Sequence, residues 1–148
     1  MADLYHLAYI SKASLSAKRE DIEAALRSML DAAHRKNPLL GITGALLYSG
    51  GYFSQVIEGP LESIEELYET IQLDDRHTEC TVLFFEKVAA RGFERWDMAF
   101  AGIEDEMRFP IEDIKRSQNE LAMKETGRQL GTVLAQLVEQ HQQALPDR

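Results

Sequence analysis

GITGALLYSGGYFSQVIEGP, Gly41–Pro60, holds two apolar runs on either side of a glycine pair and ends on Gly-Pro. Short runs rich in aliphatic and aromatic residues read as strands, and Gly50-Gly51 reads as the hairpin turn between them. With a period of two, Phe53, Gln55 and Ile57 point to one face of the second strand, and Ser54 and Val56 to the other. Gln55 breaks an otherwise apolar face. A buried amide without partners costs about 1–3 kcal/mol, so partners are implied. Gly59 and Pro60 then open a helix, because proline suits the first helical turn.

The elements outside this hairpin alternate in type. Upstream, LYHLAYIS (Leu4 to Ser11) reads as a strand with Leu7, Tyr9 and Ser11 on one face. From about Ala17 to Lys36, Ile22, Ala25, Leu26, Met29, Leu30 and Ala33 recur at helical spacing, with Ser14 or Ser16 available as the cap and a turn expected at Asn37-Pro38. Downstream, Ile64, Leu67, Tyr68 and Ile71 form the buried stripe of a second helix that ends at LDDRH. CTVLFFEKV (Cys80 to Val88) and WDMAFAG (Trp96 to Gly102) read as two more strands.

The order strand, helix, strand, strand, helix, strand, strand is an α+β, ferredoxin-like pattern with one extra strand, which puts both helices on one face of the sheet. The strands ITGALLYS and TVLFFEK are apolar at both parities, so the opposite face needs a cover too. The tail supplies it. FPIEDIKRSQNE reads as one helix, and LAMKETGRQLGTVLAQLVEQHQQ as another, with Leu130, Val133, Leu134, Leu137 and Val138 at helical spacing. The expected division is therefore residues 1–102 as the sheet domain and 103–148 as a helical extension.

Composition narrows the function classes. At 148 residues and 45% hydrophobic, the chain fits one domain with a single core and a small appendage. Its 25 acidic against 16 basic residues give a net charge of −9, which repels phosphate backbones and anionic membranes, so neither nucleic acid nor membrane is an expected partner. The single cysteine, Cys80, excludes an internal disulfide framework, and His6, His34 and His141 lack ligand spacing, so no metal is expected. With no apolar run of membrane-spanning length and no secretion signal, the expected location is the cytoplasm.

Tyr9, Asn37 and Gln55 are polar groups that this topology gathers on one face. They form either a structural hydrogen-bond network or the lining for a planar polar ligand. The stretches LYHLAYISKAS, KNPLLGITGALLYSGGYFSQVIEGP, IQLDDRHTECTVLFFE and RGFERWDMAF together resemble the successive signatures of the BLUF family, the sensors of blue light using FAD, over about residues 3–102. The resemblance implies that Tyr9 and Gln55 are the photoactive pair: the tyrosine as electron and proton donor, the glutamine as the group that switches its hydrogen bonds. It also implies that Asn37, Arg76 and His77 contact or adjoin the flavin, which lies between the two helices with its ring toward the sheet. Trp96 and Met98 correspond to the residues that relay the signal. FAD is the implied cofactor, with FMN or riboflavin sharing the same ring contacts. Ser54 stands where relatives often carry a large apolar residue, and Lys36 precedes Asn37 at a variable position. Either Asp74 or Asp75 is placed to orient Arg76. About two helices follow residue 102, too little for an enzymatic or DNA-binding output domain. The expectation is a short photoreceptor, not an enzyme, that acts as a homo-oligomer or through a separate effector protein.

Overall fold

Gly50 (φ 54°) and Gly51 (φ 88°) both lie in the left-handed region, which gives a tight hairpin the twist its two strands need. They join β2 (Thr43–Ser49) to β3 (Tyr52–Pro60) in a computed structural model that describes residues 3–15, 18–93, 98–104 and 119–144. β1 (Leu4–Ala13) pairs antiparallel with the other edge of β3. β4 (His77–Lys87) lies antiparallel outside β1, and β5 (Ala99–Glu104) runs parallel to β2, giving the order β4-β1-β3-β2-β5. This is the expected α+β sheet with its fifth strand.

The helices α1 (Arg19–Leu40) and α2 (Leu61–Gln72) cover the front face, where Ile22, Leu26, Leu30 and Ile64 pack with Leu7, Tyr9, Leu46, Phe53 and Ile57. On the rear face lies α3 (Glu120–Ala144), whose Leu130, Leu134 and Val138 pack with Ala8, Ile10, Leu47, Val56, Leu83 and Phe84. Asn119 caps α3, its side-chain oxygen accepting from the backbone N–H groups of Leu121 (3.0 Å) and Ala122 (3.2 Å). Both faces are thus covered, as the double-parity strands required. The helix expected from Phe109 lies outside the described residues except at its end. No helix among the described residues is long and apolar enough to cross a membrane.

Four details differ from the sequence reading. The expected turn at Asn37-Pro38 is instead the last turn of α1, which runs on to a left-handed Gly41 (φ 71°). There the Ile42 N–H donates to the Asn37 carbonyl at 2.9 Å, so a proline near the helix end leaves the closing hydrogen bond intact. Neither Ser14 nor Ser16 occupies the cap position, which is Lys18 without a side-chain cap bond. Next, β4 starts at His77 rather than Cys80, which moves His77 from the expected loop onto the sheet. Finally, the described part of the last strand starts at Ala99, and Trp96 lies outside the described residues.

The register of β4 slips twice against β1, between Ala8 and Tyr9 and between Ile10 and Lys12. Ala8 faces Phe84 and Tyr9 faces Val82, so Leu83 is the extra residue of a bulge. The bulge explains why the consecutive Leu83 and Phe84 both join the rear core while Val82 packs in front. An apolar run at both parities therefore had two causes here: a covered sheet and a break in the alternation.

Candidate functional site

Tyr9, Gln55 and Leu46 stand side by side across β1, β3 and β2, because Gln55 is the direct register partner of both others. Opposed residues on antiparallel strands carry their side chains close together on one face. The Tyr9 hydroxyl donates to Gln55 Oε1 at 2.5 Å, and Gln55 Nε2 donates to Met98 Sδ at 3.2 Å. Both ends of the amide are therefore engaged: its acceptor by the phenol, its donor by the thioether. Tyr9 is 3% exposed, and burial holds its phenol well above the usual tyrosine value, with Cys80, Tyr68 and Asp74 adding to the rise.

This row floors a cleft of about 210 Å³ between α1 and α2. Met29, Lys36 and Asn37 line it from α1, Leu67, Thr70 and Ile71 from α2, and Asp74, Arg76, His77 and Met98 complete the wall. Of the residues singled out from the sequence, Tyr9, Asn37, Gln55, Arg76, His77 and Met98 all meet here, while Trp96 is outside the described residues. An apolar slot of this size with a few convergent amide, phenol and guanidinium groups suits a flat heteroaromatic ring with polar edges. The residues present fit a flavin.

His77 is fixed at both nitrogens. Its Nε2 donates to the Ile71 carbonyl at 2.6 Å, which leaves Nδ1 as the acceptor for the Ser11 hydroxyl at 2.6 Å in the neutral ring. It therefore presents a ring surface to the cleft, with edge contacts to Tyr9 and Phe53. Arg76 is oriented by Asp74, not Asp75: Nε donates at 2.8 Å to Oδ1, and Nη2 at 2.5 Å to Oδ2. The Arg76 hydrogen bonds hold the Asp74 carboxyl below the usual carboxylate range. The backbone of Arg76 is tied as well, its carbonyl accepting from the Ser14 N–H at 2.8 Å.

Several participants escaped the sequence reading. Tyr68 packs on Tyr9 at 5.7 Å between ring centroids, and its phenol is pushed up to about 12, first by burial and then by Cys80. His34 on α1 donates through Nε2 to the Met98 carbonyl at 2.9 Å, which holds the residue that touches Gln55. Tyr68 carried a signal, since it belonged to a helical stripe. His34 carried none, because its partner lies 64 residues away.

The family described as sensors of blue light using FAD, BLUF, matches residues 4–99. The chain belongs to the BLUF family. Among curated relatives, the photoactivated adenylate cyclase subunit beta of Euglena longa is 36% identical over 110 residues, covering 73% of this chain but 12% of that protein. The chain thus spans about an eighth of that relative's length. Two solved BLUF-type structures match over nearly their full length. The dark-state structure of BlrB, a BLUF protein, has a TM-score of 0.68 at 32% identity and covers 91% of this chain and 97% of its own. The photo-activated state of BlsA has a TM-score of 0.67 at 30% identity, with coverage of 91% and 94%. The BLUF domain of this chain is a blue-light flavin photoreceptor module.

Proposed function

We propose that Tyr9 and Gln55 are the photoactive pair of an FAD-binding sensor, with Asn37, Arg76 and His77 completing the flavin site. The observation that carries this reading is the chain Tyr9 to Gln55 to Met98 along the floor of the cleft. When bound, the flavin supplies blue-light absorption and an excited state that oxidises a neighbouring phenol. Tyr9 holds its proton against Gln55 Oε1, so a phenol that loses electron density has an acceptor for that proton within hydrogen-bonding reach. Rotation or tautomerisation of the amide then exchanges its donor and acceptor ends without any change in net charge. A rotated Gln55 no longer donates to Met98 Sδ, which frees the thioether and changes the contact that Met98 makes with β3.

Lys36 and Arg76 are the cations in the cleft wall and give the phosphates of FAD or FMN a favourable charge, although the chain as a whole is acidic. Residues 1–102 act as the sensing part and residues 103–148 as the output element, since α3 packs directly on the sheet behind the photoactive row. The chain itself is not an enzyme in this reading: the light state alters binding to a second copy or to a separate effector protein in the cytoplasm.

The test is an absorption spectrum of the purified protein in the dark, after a blue pulse, and through recovery, with the released flavin identified by chromatography. A reversible red shift of the flavin band is expected. Bleaching without a red-shifted state would instead mark a flavin-dependent redox enzyme, and failure to take up added flavin would leave a ferredoxin-like interaction module.

A further inference from the structure

β1 and β4 fall out of step between Ile10 and Lys12: Ile10 faces Thr81, whereas Lys12 faces Thr78. Ser11 therefore stands opposite two residues, Glu79 and Cys80, which makes a bulge with one extra residue in β4. Glu79 carries it. Its φ of 53° is left-handed, a conformation that glycine takes readily and a residue with a side chain takes at a cost. Among the described residues no other non-glycine position has a positive φ.

The extra residue decides which way His77 points. Val82 lies across from Tyr9 and packs in the front core. Strict alternation back from Val82 would put Cys80 and Thr78 in front and His77 behind. With the bulge, Thr78 faces Lys12 instead, and His77 faces Ala13, which packs in the front core. His77 is thereby buried to 6% exposure in the cleft wall, while Thr78 is exposed.

In that place the imidazole bridges two elements. On one side it accepts at Nδ1 from the hydroxyl of Ser11, two residues beyond Tyr9 on β1, and on the other its Nε2 donates to the Ile71 carbonyl in the last turn of α2, both at 2.6 Å. The same carbonyl accepts from the Asp74 N–H at 3.1 Å, so the ring grips α2 where the helix ends. Thr70 and Ile71 line the cleft from α2, and Tyr9 lies in its floor. The imidazole is a rigid spacer between that floor and that wall.

We propose that the left-handed bulge at Glu79 brings His77 to the front of the sheet, and that His77 there is a positioning residue that clamps the end of α2 to β1 and so sets the width of the cleft. The clamp rests on the reading of this cleft as the flavin site. Glu79 touches no cleft residue through its exposed side chain, and its effect runs through the backbone alone.

The test uses the full-length chain as purified, labelled at its histidine nitrogens, with the His77 signals assigned by His77→Gln and FAD affinity measured by titration after flavin removal. In the wild type, neutral His77 should appear as the single Nε2–H tautomer. Deletion of Glu79 restores strict alternation. It should abolish this signature and weaken FAD binding about tenfold, the loss of roughly one net hydrogen bond. Glu79→Gly keeps the bulge and relaxes its backbone, so it should leave both readings at wild type without lowering the denaturation midpoint, whereas the β-branched Glu79→Val should lower it. Ser11→Ala should shift the His77 Nδ1 signal and weaken FAD binding severalfold. Equal falls in midpoint for Glu79→Gly and Glu79→Val would overturn the left-handed bulge, and wild-type His77 signals in the deletion variant would overturn its role. Should that variant not fold, Ser11→Ala decides the clamp: wild-type FAD affinity with a shifted Nδ1 signal would overturn it. A wild-type chain that takes up no FAD would defeat the flavin reading instead, and the His77 spectrum would still report on the bulge.

Discussion

On the front face of the sheet, Tyr9, Ser11, Gln55 and His77 are all buried, and each has a hydrogen-bond partner beside it. On the rear face, apart from Glu58 with its bonds from Thr43, Gly92 and Phe93, residues Ala8, Ile10, Val56, Leu83, Phe84, Leu130 and Leu134 meet by shape alone. The buried Ser54 hydroxyl there has no partner among the described residues. The two sides of β3 therefore answer to different physics: the front is limited by which donor meets which acceptor, the rear by how much volume fits. Isosteric loss of a polar group should be severe for function in front and mild or helpful behind, while added volume should be severe behind.

The sharpest test of the front is Gln55→Leu. It keeps the size of the side chain and removes both ends of the amide, so the protein should still take up flavin but show no red-shifted state. Tyr9→Phe should give the same result through loss of the donor. Retention of a full light shift in either variant would break the contrast on the functional side.

For the rear, the glycines of α3 provide an internal control. A Cβ on Gly127 would lie 2.4 Å from Phe84 Cδ2, whereas one on Gly131 would meet nothing within 4 Å. Gly127→Ala should therefore lower stability by about 1–3 kcal/mol through overpacking, read as an earlier denaturation midpoint. Gly131→Ala should raise stability by about 0.5–1 kcal/mol through helix propensity. Equal effects from the two substitutions would show that α3 does not pack as described. Ser54→Ala, which removes an unpartnered buried hydroxyl, should stabilise by about 1 kcal/mol with an unchanged spectral shift.

The smallest effect concerns pH. Asp74 has a folded-state pKa depressed by Arg76, so its contribution is fully present above the unfolded carboxylate value of about 4 and is lost as pH falls through the lower folded value. Acid unfolding curves of the wild type and Asp74→Asn should converge in that range. The gap between them at neutral pH should be modest, because the pair is partly open to water.

Much of the front face was readable because its signal was local: period two put Gln55 on one face with Phe53 and Ile57, and helical stripes supplied α1 and α2, whereas its place directly across from Tyr9 came from the β1–β3 register. The GITG stretch shows what a motif conceals. Gly41 closes α1 in the left-handed region, Ile42 fills the front core, and Thr43 binds Glu58. Gly44 has no room for a Cβ, which would lie 2.1 Å from the Val56 carbonyl oxygen. Four adjacent letters that form part of a family signature are mostly architecture. The Glu58 hydrogen bonds from the Gly92 and Phe93 N–H groups were not legible, since those residues lie 34 and 35 positions away and meet Glu58 only after the sheet has formed. Nor were the β4 bulges, because an extra strand residue leaves no compositional mark.

The direct opposition of Tyr9 and Gln55 also bears on how such a sensor can diverge. Substitution explores its surroundings freely, but strand alternation makes the site intolerant of small length changes. One residue inserted between Phe53 and Gln55 would turn the amide into the rear core. Two would return it to the front, yet across from a different neighbour than Tyr9. Lineages carrying this pair should therefore vary in the loops and tail and keep the spacing within β3 frozen.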